Sequence, residues 1–463
     1  MAGLPLPGPE LSDPAARIAA AVPPPVRDLL ERLWASGHAA YVVGGSLRDV
    51  VLDRPAADWD LATDALPERI CEIFPGAVYE NRFGTVAVRR EDAVHEITTF
   101  RTDHEYADFR RPHRVEFGTS VEADLARRDF TVNAMAWGGP AGRAPRLADP
   151  FGGVVDAAAR LLRAVGDPTA RFGEDALRMV RAIRLAATLG FTIEPATLAA
   201  IGASAGLVRH LSGERIAAEL DKLLGADRPS VGLRLLESTG VLGAISPELA
   251  AQRGIAQDKI PGDDLWDHTV RSVDAVPQER LVVRLAALLH DVGKPATLAE
   301  GHFIGHERVG AAMAEDLLGR LRVPRATTER VVALVRGHMW TYEPTWSDTA
   351  VRRFIGKIGP HALDELFALR EADNIGSGLA PDAGGLSELR ARVAEQLAAE
   401  VALDRRDLEI DGNDLITELG MEPGPRLGRV LDELLERVIA DPALNDGPTL
   451  LLLAQGMLAE EWG

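Results

Sequence analysis

Cysteine is nearly absent: Cys71 is the single one in 463 residues. An intrachain disulfide framework is excluded, and a lone thiol suits a reducing compartment. Long apolar runs are missing as well; no stretch of about 18 residues is free of charge, and no charged-apolar-small leader opens the chain. A soluble, cytoplasmic protein without membrane contact is expected. Positive charge is scarce overall. The formal net charge of −19 argues against a protein that coats DNA or other nucleic acid by bulk attraction. The deficit is uneven, because residues 100–190 hold 14 Arg against 12 Asp plus Glu, leaving room for a locally basic surface on an acidic body.

What the chain does contain is enough apolar residue, 46% of the total, to bury a sizeable core. Its length suggests roughly three or four domains at about 100–200 residues each. Residues 1–24 are proline-rich (LPLPGPE, SDP) and read as an extended, flexible arm. VRDLLERLWASG then has helical spacing with a glycine stop, AAYVVGG reads as a buried strand ending in a turn, and SLRDVVLDR as a helix launched from the glycines. ADWDLAT, TVAVRR and HEITTFR are further strand candidates, which makes residues 25–156 an α+β head with a mixed sheet. From residue 157 onward the pattern is helical almost without interruption. Residues 252–264 and 376–385 are the best linker candidates, so the all-α part is divided into 157–251, 252–385 and 386–463.

Asp58 and Asp60 flank Trp59 in AADWDLAT. On a strand they share one face, since side chains alternate with period two. Two like charges so close repel unless a cation lies between them, and Mg2+ accepts a few carboxylates together with phosphate oxygens. Taken alone, the pair is more often two exposed acids. VVGGSLRD changes the weighting: Gly44 and Gly45 end a strand where a helix begins, so backbone N–H groups can approach a phosphate, and Arg48 lies on the first turn of that helix. In the segment Glu174 to Arg184, Asp175, Arg178, Arg181 and Arg184 recur every third residue. On a helix they form one slowly rotating stripe able to accept from an exocyclic amine and donate to ring nitrogens, which would read a nucleobase edge without a template strand. A solvated face of ion pairs is the plainer reading of the same spacing.

These segments, with RRDFTVNAMAW (127–137), DPFGGVVDAAARLLRAVGDP (149–168) and LSGERIAAELDKLL (211–224), resemble in order the motifs of polymerase-β-type nucleotidyltransferases. The specific resemblance is to the bacterial class II CCA-adding tRNA nucleotidyltransferase and poly(A) polymerase family, and it runs through most of the chain from about residue 30. It implies Asp58 and Asp60 as catalytic metal ligands, with Asp175 and Arg178 selecting CTP and ATP while Arg181 and Arg184 help hold the nucleotide. Arg128 matches the family's nucleotide-binding arginine; Asn133 falls where the ribose would be sensed, and Arg127 and Asp129 read as structural neighbours. Glu96 falls where a third carboxylate could approach the metals, an ordinary strand-face acid being the alternative. Residues 99–115 are charged and poor in periodicity, hence expected to be a mobile loop. Asp108, Arg110, Arg111 and Pro112 within it match the Asp-x-Arg-Arg-Pro core of full CCA-adding members, which favours addition of the terminal A.

The helical half carries a second constellation. His268, the adjacent pair His290–Asp291 in HDVGK, His306, His338 and Asp373 offer imidazole and carboxylate ligands from several helices. They resemble the HD phosphohydrolase superfamily, which implies His268, His290, Asp291 and Asp373 as ligands of one divalent transition metal. His306 and His338 could admit a second. Residues 386–463, with Gly412, Gly424, Pro425 and Gly428, resemble the family's tRNA-gripping tail. They carry no basic run, so recognition of the acceptor and TΨC region by shape is expected. The resulting expectation is an α+β nucleotidyltransferase head followed by an all-α neck, HD-type body and tail. It would use Mg2+, CTP and ATP to add C, C and A to the 3′ end of tRNA. A poly(A) polymerase of the same family, or a protein whose main activity is the HD phosphohydrolase, are the competing readings.

Overall fold

The computed structural model describes residues 13–79, 84–91, 93–106, 112–257, 259–399 and 401–460. The chain divides into two compact units, Met1–Ala250 and Ala251–Gly463.

The first unit is built on a seven-stranded mixed sheet. Its strands are β1 (Ala40–Val43), β2 (Asp60–Thr63), β3 (Val78–Tyr79), β4 (Thr85–Arg90), β5 (Ala93–Thr99), and, after a separate pair β6 (Arg101–Tyr106) and β7 (Pro112–Phe117), β8 (Ala136–Gly139) and β9 (Arg146–Ala148). The spatial order is β3-β4-β5-β2-β1-β8-β9. β1 is buried along its whole length, as expected of a central strand packed on both faces. It pairs antiparallel with β2, opposing Val43 to Asp60, while β2 runs parallel to β5 and pairs Leu61 with Ile97. Tyr41, Val43, Ala62, Phe100, Leu125 and Ala136 close one core cluster of this unit.

Three sequence expectations change here. Part of the proline-rich arm is not extended: Pro14–Ala21 is a helix capped by the Asp13 side chain, and Ile18 on it is fully buried. Proline at the first helical position is compatible with a helix start, because its missing N–H has no intrahelical partner to lose. Residues 101–106 and 112–117 are not a structureless loop but an antiparallel pair, with Arg101 opposite Phe117. A two-stranded ribbon outside the main sheet can pair its backbone without apolar alternation, which is why the charged sequence hid it. β2 begins at Asp60, so Asp58 lies just before the strand and is exposed, with Trp59 buried between them. Asp108, Arg110 and Arg111 lie outside the described residues.

Helices follow the sheet in the first unit, among them Pro168–Glu174, Leu177–Leu189 and Gly213–Leu224. The second unit is all helical in its regular elements among the described residues, from Leu265–Ala275 to Gly447–Glu460. Its last part closes a core of its own around Leu408, Ile410, Leu415, Leu434, Val438, Leu450 and Ala454. No described helix is long and apolar enough to cross a membrane.

Candidate functional site

The first unit opens a cleft of about 600 Å³ whose walls include Gly44, Gly45, Arg48, Asp60, Glu96, Arg128, Asn133, Asp175, Arg178, Arg181 and Arg184. The β1 strand ends at Val43 and the next helix, Gly45–Val51, starts at once. The turn between them needs glycine. Gly44 has φ +85°, and a Cβ there would sit 3.2 Å from Arg128 Nη1 and 3.9 Å from Asp60 Oδ2. The short backbone thus leaves open the space where an arginine and a carboxylate converge beside a helix start.

Asp60 is open to the cleft but crowded by protein. Burial, followed by the like charge of Glu96, pushes its carboxyl up to about 6, with Asp58 adding in the same direction and Arg128 opposing. Glu96 comes from the neighbouring strand: the parallel register of Leu61 with Ile97 sets residue 96 beside residue 60. The structure therefore brings Glu96 to Asp60. Asp58, two residues before the strand, is near enough to be felt electrically but is not part of the cleft wall. Hard carboxylate oxygens that repel one another are the donor set that suits a small divalent cation of the Mg2+ type.

The arginines are held by carboxylates that the sequence did not single out. Asp124 is buried and accepts from Arg127 Nε at 3.0 Å and Arg128 Nη2 at 3.2 Å. Burial raises its carboxyl, yet the two guanidinium groups outweigh this and hold it below the usual range. Arg128 Nη1 lies against the Gly44 turn, 3.2 Å from where a Cβ would stand, so this end of the guanidinium borders the cleft. Arg48 forks onto Asp49 at 2.9–3.0 Å and donates through Nη1 to Asn133 Oδ1 at 2.7 Å. Asn133 in turn donates to Asp129 at 3.2 Å.

The stripe is real but broken at its start. Asp175 is not helical: it has extended geometry between two helices, and its side chain accepts from the Leu177 N–H at 3.0 Å and from Arg215 Nη2 at 2.7 Å. An Asp that satisfies a helix N-terminus costs less than one inside the helix. Arg178, Arg181 and Arg184 do lie on the helix Leu177–Leu189 and line the cleft. Arg178 donates to Glu174 at 2.8 Å and to the Arg127 carbonyl at 2.8 Å. Arg181 meets Asp129 at 3.2 Å, and buried Glu219 accepts from Arg181 Nε at 3.3 Å and Arg184 Nε at 2.7 Å. Desolvation would lower Arg181, but Asp129 and Glu219 overcome it and raise its guanidinium further. Sequence reasoning placed Asp129 as a mere neighbour and passed over Asp124 and Glu219. The available signal for Glu219 was an acid among apolar residues on the buried side of IAAEL, a position that demands a cation.

The second unit gathers the other constellation completely. His268, His290 and Asp373 offer three ligand atoms within 4.8 Å of one another, and Asp291, His306 and His338 form a second such group. Asp291 joins them: Oδ2 lies 3.4 Å from His268 Nε2 and 3.1 Å from His290 Nε2, while Oδ1 lies 3.4 Å from His306 Nε2 and 3.7 Å from His338 Nε2. Three of the imidazoles are oriented by backbone. Nδ1 of His290, His306 and His338 faces the carbonyls of Ala287, Phe303 and Val335 at 2.7–2.8 Å, and a carbonyl only accepts, so Nδ1 carries the proton. Their Nε2 lone pairs then point inward, where His306 and His338 meet at 3.3 Å and His268 and His290 at 3.1 Å. The facing lone pairs of His306 and His338 need a proton or a cation between them. Between His306 and His338 a proton is a poor choice at neutral pH, because burial, with His290 adding, pushes His338 down to about 4; at His268 burial also lowers the imidazole, but its bonds to Asp291 and Asp373 overcome this and raise it. The residues fit divalent cations with mixed nitrogen and oxygen preference, of the transition-metal type. Gly293 of HDVGK fixes the spacing: a Cβ there would strike the His306 carbonyl oxygen at 2.3 Å, so only glycine lets the Asp291 turn approach the helix that starts at His306.

A glycine turn, carboxylates and an arginine-lined cleft on a mixed sheet define a nucleotidyltransferase head, and the helical His/Asp cluster defines an HD-type domain. The Poly A polymerase head domain model matches residues 40–163, the model for the probable RNA and SrmB-binding site of polymerase A matches 190–253, and the HD domain model matches 253–376. A CCA-adding enzyme of Streptococcus suis is 31% identical over 94% of this chain and 96% of its own. That of Geobacillus stearothermophilus is 44% identical over 48% of this chain and 54% of its own. The crystal structure of the Bacillus stearothermophilus CCA-adding enzyme in complex with CTP aligns over 95% of this chain and 99% of its own, with a TM-score of 0.70 at 29% identity. The chain belongs to the CCA-adding enzyme family.

Proposed function

We propose that this protein adds C, C and A in turn to the 3′ end of tRNA, using CTP and ATP, releasing pyrophosphate and copying no nucleic-acid template. The observation that carries the reading is the one cleft that holds Gly44, Asp60, Glu96, Arg128 and the Arg178, Arg181 and Arg184 series together. The relatives' shared name, and the Bacillus relative's complex with CTP, support the choice of substrates.

In this reading Asp58 and Asp60 hold Mg2+, with Glu96 beside them. A cation held there would neutralise charge at the transferring phosphate and make the attacking 3′-OH more acidic. Gly44 and Gly45 let the triphosphate approach the backbone, while Arg128, whose Nη1 lies against the Gly44 turn, donates to it. Arg48 and Asn133, already bonded to each other, present one amide-guanidinium surface to the ribose. Asp175 and Arg178 read the base edge by accepting from the exocyclic amine and donating to ring acceptors. Arg181 and Arg184, clamped by Glu219, form the wall beside it. The neck of residues 157–251 and the tail of residues 386–463 bear on the tRNA acceptor and TΨC region. The work belongs to the cytoplasm.

The His/Asp centre favours a second activity, hydrolysis of a phosphate ester with divalent transition metals held by His268, His290, Asp291 and Asp373 and by His306 and His338. Asp60→Ala and His290→Ala separate the two activities. The first variant should lose nucleotide addition to tRNA lacking its CCA and keep ester hydrolysis, and the second should do the reverse. Loss of both in either variant would refute the division.

A further inference from the structure

Beside the His/Asp centre lies a cavity of about 770 Å³ whose walls include Lys259, Lys294, Arg370, Glu307 and Asp373, with His302, Ser377 and a set of apolar side chains. The charges in this wall are arranged in a way that metal ligation alone does not explain. Lys294 Nζ lies 2.7 Å from Asp291 Oδ2, Lys259 Nζ 3.5 Å from Asp373 Oδ1, and Arg370 Nη1 3.5 Å from Asp373 Oδ2. Arg370 is fixed from behind, donating through Nη2 to the Trp340 carbonyl at 3.2 Å and lying over the Trp340 ring at 5.3 Å. Glu307 faces Arg308 at 3.8 Å and His306 Nδ1 at 4.0 Å.

Three cations, Lys259, Lys294 and Arg370, therefore stand against two carboxylates, Asp291 and Asp373, while Glu307 has a cation of its own in Arg308. Any divalent ion bound by Asp291 and Asp373 leaves that wall with surplus positive charge. Asp373 in particular cannot serve a metal and neutralise both Lys259 and Arg370. Cations left a few ångströms from a metal repel it unless an anion joins them. The remaining wall is apolar and open to solvent: Ile304, Met339 and Leu379 are 88%, 55% and 56% exposed and all border this cavity. Large apolar side chains exposed together around a charged pocket mark a ligand with both an anionic and an apolar part.

We propose that Lys259 and Arg370 form a phosphate-gripping pair beside the metal centre, and that Ile304, Met339 and Leu379 seat the flat or apolar organic group of the same phosphate ester. This rests on the reading of the His/Asp cluster as a metal site. Lys259 and Arg370 bind, and are not metal ligands. Arg370 offers a planar fork to two phosphate oxygens, and Lys259 a mobile point charge from the opposite side of Asp373.

The test is binding by the full-length protein loaded with Mn2+, using phenylphosphonate, whose C–P bond resists hydrolysis and whose ring carries no base for the nucleotide cleft to read. Inorganic phosphate is the second probe. Lys259→Ala and Arg370→Ala should each weaken both probes about five- to tenfold in calorimetry, while metal content per chain and CTP affinity stay at the wild-type level. Arg370→Lys should restore part of the loss. Ile304→Ser should weaken phenylphosphonate and leave inorganic phosphate unchanged. Unchanged anion affinity in both alanine variants would overturn the proposal. So would a loss of affinity that only follows a loss of Mn2+, since the two cations would then merely position Asp373. If wild-type protein binds Mn2+ but neither probe, the anion site is refuted while the metal site stands; if it binds no Mn2+, the metal reading and this proposal fall together.

Discussion

Glu219→Ala is the perturbation that weighs the support of the cleft most directly. The Glu219 side chain is 7% exposed and is shared by Arg184, at 17%, and Arg181, at 39%. Deleting one partner of a fully buried ion pair costs about 3–5 kcal/mol. Arg181 is exposed enough to regain water, and Asp129 still holds it at 3.2 Å, so its share falls to about 0–1 kcal/mol. Arg184 keeps most of its penalty, which gives about 2–3 kcal/mol in total. At about 2–4 °C per kcal/mol for a unit of this size, thermal unfolding of the first unit should fall by roughly 4–12 °C. Because both arginines line the cleft, CTP and ATP affinity should fall together, by about tenfold for each 1.4 kcal/mol of lost positioning. Glu219→Gln keeps an acceptor for Arg184 Nε and should lose less on both counts. Differential scanning calorimetry and nucleotide titration measure the two effects. An alanine variant with unchanged unfolding temperature and unchanged nucleotide affinity would refute the claim that Glu219 holds this wall.

Other outcomes follow from the same geometry. With Asp60 raised to about 6, its proton competes with the cation, so Mg2+ affinity at the cleft should be nearly constant above pH 7 and fall by about tenfold per pH unit below 6. Calorimetric titration at pH 5 and 7.5 checks the direction, and Asp60→Asn should remove that dependence along with most of the affinity. Gly44→Ala puts a side chain at φ +85°, ψ −143°, a region nearly reserved for glycine, and within 3.2 Å of Arg128. It should cost about 1–3 kcal/mol of stability and weaken nucleotide binding further, read by thermal unfolding and titration. Ile18→Ala should cost about 2–5 kcal/mol in denaturant unfolding if the helix Pro14–Ala21 is part of the core, and almost nothing if that segment is an arm.

The order of strands and helices in the head was legible because its central strands are short apolar runs punctuated by glycine. AAYVVGG and SLRDVV carry the turn and the helix start in one line of sequence. The β6–β7 pair was not legible, because a ribbon that need not bury a face leaves no alternation to read. The helix Pro14–Ala21 was masked by prolines counted as disorder when one of them marked a helix start. The cleft's arginines were visible as a periodic series, but their carboxylate partners were not. Glu219 comes from another helix and Asp124 precedes the arginines on its own, and only the folded chain shows which acids are buried against which cations. The His/Asp centre was the opposite case. Histidine is uncommon, at 11 residues, and the order of His268, His290, His306 and His338 around the HDVGK core, with the resemblance to the HD superfamily, suggested the cluster. What sequence could not show is that Asp291 bridges two groups of ligands while Lys259 and Arg370 stand on the open side.

The most direct measurement uses tRNA ending at the discriminator base, with Mg2+ and this protein, and reads product lengths with CTP alone, ATP alone and both together. Addition of two residues with CTP, little with ATP, and three with both is the expected pattern, lost in Asp60→Ala. An ATP-only tail of indefinite length on unstructured RNA, with no use of CTP on tRNA, would contradict the account.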